Sequence, residues 1–102
     1  MSFKLVSDVQ QRLNTKLFGP GWRILGVAKL EMTNRTRERF FFLLMQESTG
    51  VTYIEEYDDS NQGYFVKIKE DKMWSDLFMW FTDKGLISMG VGKETKIAKR
   101  QS

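Results

Sequence analysis

The most enzyme-like letters in this 102-residue chain are Asp59 followed by Glu70-Asp71-Lys72. Two carboxylates that share a divalent ion, with a lysine to position the attacking water, are the minimum for metal-dependent phosphodiester cleavage. The order D-x10-E-x-K arises readily by chance, and turn acids followed by an acid at a helix start produce the same letters. A second pattern, Asp58-x-Ser60-x-Gln62-Gly63, has the spacing of a calcium loop, but Lys69 stands at its twelfth position, where a bidentate glutamate belongs. Gly92-Lys93 lacks the upstream glycine of a phosphate loop, since Ile87 occupies that place and Glu94 replaces the magnesium-binding hydroxyl. Glu55 and Glu56 are adjacent in an expected strand, so they point to opposite faces and cannot flank one substrate; a solvated edge explains them.

The composition narrows the chemistry further. With no histidine and no cysteine there is no imidazole base, no thiolate nucleophile, no disulfide framework and no soft metal site. A serine nucleophile needs a lysine base, and no S-x-x-K is present. The expectation is a non-enzyme without cofactors or metal.

What remains is basic and aromatic. Arg35, Arg37 and Arg39 alternate at the tip and exit of an expected hairpin, Lys67 and Lys69 alternate beside Phe65, and Lys93, Lys96, Lys99 and Arg100 crowd the last ten residues. Cations that project together suit phosphate oxygens, and aromatic rings beside them suit the bases of a single strand. The competing explanation is that most rings are core and loop arginines stay solvated. Against the net charge of +3, residues 1–45 carry 8 basic and 3 acidic side chains, residues 46–83 carry 3 and 9, and residues 84–102 carry 5 and 1. A basic start, an acidic middle and a basic end make a dipolar surface unless folding mixes them.

The elements that must position these groups follow from periodicity. Val6, Val9, Leu13 and Leu17 recur at helical spacing behind an S-x-x-Q capping box, Ser7 to Gln10, and Gly19-Pro20-Gly21 ends that helix. From Trp22 the period becomes two, with Trp22, Ile24, Gly26, Ala28, Leu30 and Met32 on one side. Residues 34–38 form a polar loop. The strand from Arg39 to Glu47 is apolar on both faces, which calls for a central place in a sheet or for a partner over the second face. Ser48-Thr49-Gly50 turns into a strand over Val51 to Tyr57, residues 58–63 turn again, and Tyr64 to Lys69 alternates. A helix over Asp71 to Asp83 carries the stripe Trp74, Leu77, Phe78 and Phe81 and is capped by Gly85. Leu86 to Met89 is a short strand or an extended arm.

The reading is an α+β fold: a four-stranded antiparallel β-meander flanked by an N-terminal and a C-terminal helix (α-β-β-β-β-α). Residues 1–92 form one domain and 93–102 a basic flexible tail. Both helices on one face leave the other open, with Arg23, Lys29, Lys67 and Lys69 among aromatic neighbours. No apolar run is long enough to span a bilayer and Met1 to Val6 is no secretory leader, so the expected place is the cytoplasm.

Leu13-Asn14, Phe18-Gly19 and Gly21-Trp22, followed by a meander, resemble the helix-to-strand junction of single-strand annealing proteins of homologous and phage recombination, over about residues 9–57. That family continues with a long helix rich in lysine and arginine that contacts DNA, whereas Lys72 to Phe81 is mainly apolar, and the glycine spacing here is shorter. A helix ended by glycine before a tryptophan accounts for the likeness without membership.

Two functions are therefore expected. The first is a non-catalytic accessory protein for single-stranded nucleic acid, using Arg35, Arg37, Arg39, Lys67, Lys69, Lys93, Lys96, Lys99 and Arg100. The alternative is a phage- or mobile-element-type regulator that binds and inhibits a host protein, through an exposed sheet face around Phe41 and Tyr53 or the acidic segment Glu55, Glu56, Asp58 and Asp59. A homodimer burying the same face would use the same apolar residues.

Overall fold

The computed structural model describes residues 2–6, 21–31, 39–58, 64–87 and 91–92. Within them the chain is α+β. Five antiparallel strands run in the order β1 (Ser2–Leu5), β2 (Trp22–Glu31), β3 (Arg39–Gln46), β4 (Thr52–Asp58) and β5 (Tyr64–Val66). The helix α1 spans Asp71–Asp83, and β6 (Val91–Gly92) pairs in parallel with β4. The meander β2 to β5 stands where period-two alternation places it, and α1 has the limits its apolar stripe predicts. No described helix is long and apolar enough to cross a membrane.

β1 enlarges the expected four-stranded sheet. It pairs with β2 in the register Ser2↔Glu31, Phe3↔Leu30, Lys4↔Lys29, Leu5↔Ala28. Its signal is present in the sequence, since Phe3 and Leu5 alternate with Ser2 and Lys4. Val6, the first apolar residue of the expected N-terminal helix, continues this ladder instead, its N–H donating to the Val27 carbonyl at 2.9 Å. The rest of that helix and the capping pair Ser7 and Gln10 lie outside the described residues, as does the tail at 93–102.

A bulge in β2 changes its faces. The β2–β3 register passes from Ile24↔Leu44 to Gly26↔Leu43, so Leu25 is the extra residue. Trp22 and Ile24 consequently lie on the side of Val27 and Lys29, opposite Gly26, Ala28 and Leu30, where strict alternation groups them together. Gly26 lies close under the side chains of Phe81 and Leu86. A Cβ there would lie 2.8 Å from Leu86 Cδ1 and 3.2 Å from Phe81 Cε1.

β3 is the central strand its double apolar pattern demands. Phe41 and Leu43 face α1 with Met73, Leu77 and Phe81, while Phe42 and Leu44 pack on the other side with Val27 and Phe65. All these are buried, so both faces of the central sheet hold core and the expected open face is corrected. The helix ends as its glycine predicts. Gly85 takes φ +75°, its N–H donates to Thr82 O at 2.9 Å, and Leu86 N–H reaches Phe81 O at 3.1 Å, a Schellman closure that brings Leu86 beside Phe81. The β3–β4 connection also closes on a positive-φ glycine, Gly50 at φ +75°, whose N–H donates to the Gln46 carbonyl at 2.8 Å.

Candidate nucleic-acid interface

The cations expected to meet phosphate divide into three groups. Arg39 begins β3, and its side chain turns onto the helix face, over the Phe41 ring at 5.2 Å. There it donates to Glu56 through Nε and Nη2, both at 2.8 Å, and to Glu70 through Nη1 and Nη2, both at 3.3 Å. The two-point pairing with Glu56, reinforced by Glu70, raises the guanidinium pKa further above its already high value, and Arg39 in turn holds the Glu70 carboxyl below its ordinary value. An arginine whose donors are spent this way joins β3, β4 and the start of α1; it is not presented to a ligand. Arg39, expected to meet phosphate, and Glu56, expected to meet a protein partner, are thus paired with each other.

Lys67 and Lys69 form the second group. β5 ends at Val66, and both lysines are exposed on either side of Ile68, which is buried under α1. The third group, Arg35, Arg37, Lys93, Lys96, Lys99 and Arg100, lies outside the described residues.

The register of the sheet assembles a basic and aromatic row. Lys4 is opposite Lys29, Lys29 opposite Phe40, Phe40 opposite Tyr57, and Tyr57 opposite Phe65, so one line crosses β1 to β5 on the face away from α1. Lys4 is exposed, Lys29, Phe40 and Tyr57 are half-buried, and Phe65 is buried. Tyr57 is backed by Phe42 at 5.7 Å and Phe65 at 5.3 Å between ring centroids, and those two rings meet edge to face at 5.1 Å, so its orientation is supported from beneath. Glu31, two residues from Lys29 on the same face, is exposed and opposite Ser2. Of this row, sequence reading singles out Lys29 and Phe65; Lys4 becomes a neighbour of Lys29 only once β1 is paired, and Phe40 and Tyr57 join the line through the β2–β3 and β3–β4 registers.

The residues expected to hold a protein partner are placed otherwise. Phe41 is wholly buried between the sheet and α1, edge to face with Phe3 at 6.4 Å. Tyr53 is buried against Trp22 at 5.9 Å. Glu55 is wholly buried on the aromatic face opposite Phe42, so it is not the solvated edge its acidic surroundings suggest. Asp58 is described by its backbone only, and Asp59 lies outside the described residues. The exposed sheet face around Phe41 and Tyr53 is therefore corrected, because the helix covers one side of β3 and core covers the middle of the other.

The nuclease-like letters are occupied in pairings. Glu70 faces Arg39, and Lys72 binds Asp76 one turn along the helix at 2.9 Å. Among the described residues no group of three or more carboxylates is gathered as a metal site. The chain matches no protein-family model, no curated protein and no solved structure.

Proposed function

We propose that the chain is a non-catalytic nucleic-acid-binding accessory protein that prefers single strands. The observation that carries this is the row of two lysines and two half-buried rings in register on one sheet face. Unpaired bases stack on sheet aromatics while lysines take the backbone, and a duplex hides the base faces such rings need. The net charge of +3 and the exposed Lys67 and Lys69 add attraction for a polyanion. Arg35 and Arg37 belong to the same reading by sequence, since residues 32–38 join the ends of β2 and β3 that carry Lys29 and Phe40.

The test is electrophoretic mobility with labelled single-stranded DNA, single-stranded RNA and their duplexes at low salt. The expected outcome is a shift of the single strands at lower protein concentration than the duplexes, weakened steeply by added salt. No shift with any of them would end this reading. A protein-binding regulator is the second reading, and one observation favours it: Met79 on α1 is 60% exposed, on the same helix as the half-buried pair Trp74 and Phe78, whose rings are 5.5 Å apart. Its surface would then be the helix rather than the sheet.

A further inference from the structure

We infer that the outer edge of β1 receives a strand from another protein: an extended peptide, antiparallel to β1, that sets a carboxylate between two apolar residues along Phe3, Lys4 and Leu5. This site is separate from the single-strand reading and does not rest on it. Of the two strands that end the sheet order, β5 spans Tyr64–Val66 with Phe65 buried. On β1, in contrast, Ser2, Lys4 and Leu5 are exposed, Leu5 to 51%.

The ladder decides which groups the edge offers. The Val6 N–H donates to the Val27 carbonyl, so these two form a hydrogen-bonded pair, and in the same register so do Lys4 with Lys29 and Ser2 with Glu31. Phe3 and Leu5 alternate with them, so the N–H and C=O of both point away from β2. Among the described residues no strand lies beyond β1. Such an edge is a template for a further strand, with main-chain bonds supplying affinity and alternate side chains supplying choice.

The side chains narrow that choice. Phe3 lies toward α1, its ring 5.7 Å from Trp80 and 6.4 Å from Phe41, and Leu5 shares that side by alternation. Lys4 projects on the opposite face, and among the described residues it forms no ion pair. An added strand therefore has apolar company on the α1 side and an ammonium on the other. The residue it sets opposite Lys4 belongs to a non-hydrogen-bonded pair, the closer kind, with about 4.5 Å between Cα atoms, so a carboxylate there meets Lys4 directly. A second copy of this chain fits less well. Pairing β1 with itself through all its outward groups sets Phe3 against the Leu5 of the copy and Lys4 against the Lys4 of the copy, and like charges directly opposite repel.

The experiment titrates the intact chain into the fluorescein-labelled peptide Ser-Thr-Val-Glu-Val-Thr-Ser and follows anisotropy. Versions with Gln or Lys in place of Glu, and versions N-methylated at both Val residues or at Glu, complete the set. The glutamate peptide is expected to bind about two- to fivefold tighter than the glutamine one, and the lysine peptide more weakly than either. N-methylation at Val, whose N–H groups face β1, abolishes binding, whereas N-methylation at Glu, whose N–H faces away, leaves it. Lys4→Glu reverses the order of the glutamate and lysine peptides. Leu5→Pro removes an outward donor, keeps the bonds that Lys4 and Val6 make to β2, and weakens binding about tenfold. Circular dichroism checks that this variant folds, and the N-methylated peptides test the same bonds on the unaltered chain.

No binding of any peptide overturns the inference. Binding that both N-methylated forms retain overturns strand addition, and binding indifferent to Leu5→Pro overturns its place on β1. A peptide preference unchanged by Lys4→Glu overturns the carboxylate assignment. A dimer in sedimentation velocity that Leu5→Pro dissociates overturns the foreign strand and makes a second copy the occupant.

Discussion

Arg39 is the residue whose role changes most between sequence and structure. Its alternation with Arg35 and Arg37 presents it as one of three cations on a hairpin, yet its partners lie 17 and 31 positions away, at Glu56 and Glu70. The pairing with Glu56 is bidentate and only about one-fifth exposed on either side, whereas Glu70 is half exposed. The two contacts should therefore differ in weight. Arg39→Gln removes the charge-assisted bonds and leaves Glu56 without its cation, with an expected loss of about 2 kcal/mol in urea denaturation. Glu70→Gln leaves the stronger pair intact and costs about 0.5 kcal/mol or less. Acidity acts through the same carboxylate. Arg39 lowers the Glu70 pKa from 4.5, so its contribution is complete above that value and is lost as pH falls through the lowered folded value. The stability of the parent chain should fall more steeply below pH 4.5 than that of Glu70→Gln, and parallel acid limbs would show that the contact carries no weight.

At the scale of elements, most of the architecture is legible because it is written in local repeats. Trp74, Leu77, Phe78 and Phe81 fix the extent of the helix, and Gly85 ends it with the positive φ that other residues adopt only with strain. The alternation from Trp22 onward gives the strands, and Gly50 takes the positive φ of the turn between β3 and β4. What alternation cannot reveal is the bulge at Leu25, because an inserted residue leaves the letters unchanged while exchanging the faces on either side of it. Leu86 and Phe81 sit close over Gly26, beside the bulge, so a Cβ added there would press on the Leu86 Cδ1 methyl. Gly26→Ala should destabilise the chain by about 1–3 kcal/mol. Adding Leu86→Ala to that variant should cost less than Leu86→Ala does alone, since it removes the nearest clashing atom. Strict additivity in a double-mutant cycle of chemical denaturation would separate the glycine from the helix cap.

The whole molecule mixes charges that the sequence segregates. Arg39 from the basic first block meets Glu56 and Glu70 from the acidic middle, and Arg23 lies 3.9 Å from Glu47 in the same way. A simple dipole of sequence blocks is thereby weakened, while Lys4 and Lys29 stand in direct register on β1 and β2. The share of binding owed to the folded surface can be separated from that owed to the basic end by a chain stopped after Gly92. Lacking Lys93, Lys96, Lys99 and Arg100, it should lose up to about 2.8 of the slope of log K against log salt concentration if all four meet phosphate, yet still bind single strands. If the shortened chain binds no oligonucleotide, the sheet face has no part in recognition.

By itself the sequence determined the secondary structure of the meander and the last helix, the central place of β3, and the lack of imidazole and thiol chemistry, because periodicity and composition are local properties. The tertiary structure decided which side chains each cation meets. That choice depends on register, on a bulge in β2, and on a first strand whose partner lies some twenty-five positions away. It takes Arg39 out of the candidate interface and brings Lys4 into it. Contacts across strands are set by the packing that aligns the strands, and no short stretch of letters carries that alignment.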